Sequence, residues 1–135
     1  MKIAILITYM LLILATSLIP MDREIKGLQF VIGLKPTIQN LLHIPAYAIL
    51  SILCLGLLKS CKIRRSTRIW LVVVSVVGFG ILNEFIQMVI PGRYAGVMDM
   101  GLNTVGSILG IILYYKLEKA GDSLINETGF TGSTR

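Results

Sequence analysis

Apolar residues gather into four blocks, residues 3–19, 41–58, 69–90 and 97–115, with short polar stretches between them. Each block has roughly the ~17–25 residues that an α-helix needs to cross a bilayer. The pattern predicts an all-α fold. It is an integral membrane four-helix bundle over residues 1–120, followed by a flexible cytoplasmic tail at 121–135 that is rich in Gly, Ser and Thr. The first block also has the outline of a signal peptide, with Lys2 ahead of it and Ala15-Thr16-Ser17 as small residues for cleavage. Bulky residues follow that site and no soluble secreted domain comes after it, so a retained helix is the favoured reading. Residues 27–34 are apolar but too short to span, and are expected to lie in the interface or over the bundle.

Composition agrees with the blocks. The chain has 135 residues, is 55% hydrophobic and has a mean hydropathy of +0.80, which excludes an ordinary soluble domain. Charge then orients it. Lys59, Lys62, Arg64, Arg65 and Arg68 fall in one connection that has no acid, and Lys2, Lys116 and Lys119 belong to the same side. The opposite side carries Arg23, Lys26 and Lys35, diluted by Asp22 and Glu24, plus Arg93. The positive-inside rule places the basic connection and both termini in the cytoplasm. A basic turn of this kind is a topology signal that touches anionic headgroups, not a nucleic-acid site. Trp70 sits where an aromatic anchor belongs. Cys54 and Cys61 are expected as free thiols.

Against this background the polar residues inside the blocks stand out, because a carboxylate at membrane depth costs several kcal/mol, by most estimates. Helical spacing sorts them into three stripes. Gly80, Glu84 and Gln87 share one face, with Asn83 beside them; Asp99, Asn103, Gly106 and Gly110 share another; His43, Tyr47, Ser51 and Cys54 share a third. Lipid turns such faces inward. Glu84 lies about 9 Å below Ile90 at ~1.5 Å per residue, inside the hydrocarbon edge. The predicted site is a polar pocket opening outward. Glu84, Asp99 and His43 are its candidate catalytic residues, with Glu84 as general acid or base. Arg93, Gln87, Asn103, Asn83 and Tyr47 are its candidate ligand-binding residues, Arg93 as a clamp for phosphate or carboxylate. Gly106 and Gly110 form a small-xxx-small pair for helix packing. His43, Glu84 and Asp99 also have the chemistry to hold a divalent metal. No strong metal motif or phosphate-binding glycine loop is present, so metal and cofactor stay open. The competing reading is structural: a Glu–Arg or Asp–His pair can lock a bundle, and Asn103 or Gln87 can be interhelical hydrogen-bond glue.

The string resembles the signature of the VanZ-like family of small bacterial membrane proteins. That signature has a His near a helix start, then E-x-x-Q, an Arg in a short turn, and D-x-x-x-N-x-x-G-x-x-x-G. Here these are His43, Glu84, Gln87, Arg93, Asp99, Asn103, Gly106 and Gly110. One departure is that Gln39 and Asn40 stand where many members carry Asp-Lys. The resemblance implies a multi-pass protein of the bacterial cytoplasmic membrane and a cell-envelope role. It also implies a link to lowered susceptibility to lipid-bearing glycopeptides such as teicoplanin. Three functions are compatible: binding or shielding an envelope lipid or lipid-linked precursor, an intramembrane enzyme acting on such a lipid, or a structural partner of a membrane complex. The expected partners are membrane lipids, a lipid-linked precursor or lipoglycopeptide, and a second copy of the chain as a homo-oligomer.

Overall fold

A computed structural model describes residues 1–19, 36–91 and 96–127. Among them are four long helices, one short helix and no strand. The helices are α1 (Lys2–Ser17), α2 (Pro36–Leu41), α3 (His43–Leu58), α4 (Arg65–Gln87) and α5 (Val97–Glu127). The expected interfacial stretch at 27–34 lies outside the described residues.

Local chemistry sets several boundaries. Pro45 has no N–H to give the Leu41 carbonyl, and its ring crowds that carbonyl, so the chain breaks between α2 and α3 at Leu42. Pro45 itself is tolerated in the first turn of α3. The last helix runs to Glu127, well past Tyr115 where its apolar block ends. The added turns contain Lys116, Leu117, Glu118, Lys119 and Ala120, all good helix formers. Apolar blocks measure the apolar part of a helix, and helices need not stop where hydrophobicity does.

α4 and α5 are long and apolar enough to cross a membrane. α1 and α3 have 16 residues each, about 24 Å at ~1.5 Å per residue. That is short of a hydrocarbon core ~30 Å thick. Four blocks of similar apolar length in the sequence therefore become two full-length and two shorter helices.

α3 and α5 run parallel and in close contact. His43 meets Asn103, Ser51 meets Ser107, and Lys59 pairs with Glu118 at 2.9 Å, so the two helices keep step from end to end. Glycines allow that approach. A Cβ on Gly106 would collide with the Ile44 carbonyl, and one on Gly110 with the Ala48 carbonyl. α1 runs antiparallel to α3, with Tyr9 donating to the Ala46 carbonyl at 3.1 Å and Lys2 reaching Gly56. The apolar core holds Leu50, Leu55, Val72, Val76, Phe79 and Ile111. Outside it the usual order is inverted: Trp70, Val74, Leu82, Phe85, Met88 and Leu113 are exposed, while Ser51, Asn83, Glu84 and Asn103 are buried.

Candidate functional site

The three polar stripes meet at one end of the bundle. α3 begins there with His43, α4 ends there with Asn83, Glu84 and Gln87, and α5 begins there with Asp99 and Asn103. Asn83 and Glu84 expose no surface at all, and Gln87, Asp99 and Asn103 are nearly as deeply buried. Asp99 sits in the first turn of α5, where a carboxylate complements the positive end of the helix dipole.

Some of these groups are engaged. The His43 ring nitrogen Nδ1 lies 2.8 Å from Asn103 Oδ1. With the amide oxygen as acceptor, Nδ1 donates, which leaves Nε2 of a neutral ring as an acceptor. Gln87 Nε2 donates to Ser17 Oγ at 3.1 Å, tying α4 to α1. Ser51 donates to Ser107 at 3.0 Å between α3 and α5. The His43 and Tyr47 rings stack with centroids 6.1 Å apart. Gly80 makes room for this arrangement, since a Cβ there would stand 3.0 Å from Asn103 Nδ2 and 3.2 Å from the Tyr47 ring.

Other groups at the same level are not engaged. Among the described residues, no hydrogen bond satisfies the Tyr47 hydroxyl, either end of the Asn83 amide, either Glu84 oxygen, Asp99 Oδ1 or Asn103 Nδ2. Glu84 lies near Asp99, His43, the Asn103 amide and the Gly96 backbone N–H. None of these neighbours reaches hydrogen-bonding geometry with it. Each buried polar group without a partner is worth about 1–3 kcal/mol of lost stability. Most of these atoms are acceptors, so the cluster as built favours a partner that brings hydrogen-bond donors.

The structure thus gathers His43, Tyr47, Asn83, Glu84, Gln87, Asp99 and Asn103 at one end. Arg93 lies outside the described residues. Gly106 and Gly110 sit further along α5, against α3. The side chains of the cluster other than His43 are buried. Among the described residues, two cavities lie elsewhere. One of about 210 Å³ is apolar, between Leu6, Leu50, Cys54, Val72 and Phe79. The other, of about 430 Å³, lies between α4 and α5 near Arg65 and Tyr115. A metal at His43, Glu84 and Asp99 also finds no support: among the described residues no three His, Cys, Asp or Glu side chains converge as ligands. Cys54 and Cys61 are free thiols, as expected.

Two members of the network were not singled out from the sequence. Ser107 continues the Asp99–Asn103 stripe at i+8, so extending the same spacing would have found it. Ser17 carries no such signal, because only the fold brings it to Gln87.

A family model described as VanZ/LLP1 matches residues 3–118. No curated protein and no solved structure matches the chain. The match takes in all or most of every helix and the whole polar cluster, and the chain belongs to the VanZ/LLP1 family.

Proposed function

From this membership, we propose that the chain is a multi-pass protein of the bacterial cytoplasmic membrane. Its buried polar cluster binds, or shields, the headgroup of an envelope lipid or lipid-linked precursor. The membrane placement is supported by the inverted surface, apolar outside and polar inside, and by the length of α4 and α5. Positive-inside counting favours cytoplasmic termini, with the polar cluster at the outer end. α1 and α3 are the shorter spans in this arrangement, accommodated by local thinning or by flanking residues.

The observation that carries the binding role is the unsatisfied hydrogen-bonding capacity of Tyr47, Asn83, Glu84, Asp99 and Asn103 at one level. Gln87, by contrast, is already bonded to Ser17 and serves to hold α4 against α1. Headgroup hydroxyl or amide donors are the complement that Glu84 and Asp99 ask for, and Arg93 supplies the contact to a headgroup phosphate. A protein that covers such a headgroup in the outer leaflet competes with a lipid-bearing glycopeptide for the same ligand, which is the route to lowered teicoplanin susceptibility. The enzymatic alternative rests on the proximity of Glu84, Asp99 and His43.

Glu84→Gln separates these readings. Teicoplanin susceptibility is compared between cells producing wild type and variant at equal protein levels. The binding role predicts loss of protection together with loss of co-purifying lipid. Loss of protection with lipid retained favours the enzyme, and full protection by the variant contradicts both.

A further inference from the structure

The second cavity, at the opposite end of the bundle from the polar cluster, has features of its own. It opens between the start of α4 and the later turns of α5, with a volume of about 430 Å³. Arg65, Lys116 and Lys119 line it together with Tyr115, Ile69 and Ile111. Arg65 lies over the Tyr115 ring, 3.9 Å from its centroid, so its guanidinium is held in place by a cation–π contact. The Tyr115 hydroxyl is buried with no hydrogen-bond partner among the described residues.

Both walls grade from charge to hydrocarbon. On α4, Arg65 is followed one turn later by Ile69. On α5, Lys116 is preceded by Ile112 and Ile108 at successive intervals of four, which puts all three on one stripe. Ile108 and Ile112 are about half exposed. The start of α4 adds a further attraction. Its N-cap is Arg64, which makes no side-chain capping bond, and no acid lies in its first turn. The positive end of the helix dipole is left to whatever anion comes near.

We infer that this cleft is a binding site for an anionic phospholipid of the inner leaflet, with the phosphate between Arg65, Lys116 and Lys119 and an acyl chain along Ile69, Ile111 and Ile112. Charge complementarity selects the headgroup, and the graded walls select a molecule that is anionic at one end and aliphatic at the other. Basic clefts between helices on the cytoplasmic side suit such headgroups. The site shares only the membrane placement with the headgroup-binding role above and uses none of its residues.

Trp70, the single tryptophan of the chain, follows Ile69 on α4 and is mostly exposed, so it reports on lipid beside the cleft. The full chain is reconstituted in phosphatidylcholine vesicles containing brominated phosphatidylglycerol or brominated phosphatidylcholine at equal mole fraction, and quenching of Trp70 is compared. The site predicts stronger quenching by the anionic lipid, corresponding to a preference of at least about fivefold for a cluster of basic groups. The triple variant Arg65→Gln, Lys116→Gln, Lys119→Gln brings the two lipids to equal quenching, whereas Glu84→Gln leaves the preference intact. Because the three changed side chains are exposed, helicity by circular dichroism checks that the variant is folded. Equal quenching by the two lipids in wild type overturns the site, as does a preference that survives the triple substitution in folded protein.

Discussion

Leu55 and Glu84 are buried to the same extent, both with no exposed surface, yet they belong to opposite halves of the bundle. Around Leu55 the interior is Leu50, Val72, Val76 and a small apolar cavity. Around Glu84 it is Asn83, Tyr47, Asp99 and Asn103, with hydrogen-bonding capacity left over. The same two helices, α3 and α4, build both halves. Burial alone therefore does not tell structure from function here. Packing among matched apolar groups holds the fold, and polar groups kept at the same depth without partners form the site proposed for a ligand.

The largest effect is expected where both halves depend on one contact. Gly110→Leu puts a side chain into the Ala48 carbonyl and separates α3 from α5 along their length. Loss of a monodisperse folded species in size-exclusion chromatography is the expected result. Next, Leu55→Ala opens a cavity in the apolar half and lowers stability by about 2 kcal/mol. Thermal unfolding in detergent measures it, and lipid co-purification stays at the wild-type level. Glu84→Gln reverses that pattern. It removes no completed hydrogen bond, so stability stays within about 1 kcal/mol of wild type while binding is lost. A midpoint far below wild type for this variant would make Glu84 a structural residue and erase the contrast between the halves.

The smallest effect belongs to the surface. Lys59→Met removes the exposed pair with Glu118 and lowers the midpoint only slightly at neutral pH. Glu118 holds the Lys59 ammonium above the usual lysine range. Whatever the pair contributes is present at neutral pH and fades only as pH rises through that raised value. The small difference between wild type and variant is therefore present at neutral pH and vanishes as pH rises through that value.

Much of this arrangement was legible in the sequence because polar residues are rare inside the apolar blocks. The stripes through Glu84, Asp99 and His43 were readable from spacing alone, and the structure brings those residues to one end of the bundle. The extension of α5 to Glu127 was not readable from hydropathy, since the added turns are polar and held by propensity and the Lys59–Glu118 pair. The break at Leu42 was available from Pro45 but is lost when residues 41–58 are read as one apolar block. The bond from Ser17 to Gln87 depends on a contact between helices far apart in the chain, and no local pattern encodes it.

The most direct test of the account is quantitative lipid mass spectrometry on wild type, Glu84→Gln and Leu55→Ala purified from the same membranes. Wild type and Leu55→Ala are expected to carry the same enriched envelope lipid or precursor. Glu84→Gln is expected to carry it at no more than about a tenth of that level, as losing one hydrogen bond to the headgroup implies. The same lipid at the same abundance on all three proteins would contradict the assignment of the buried polar cluster as a headgroup site.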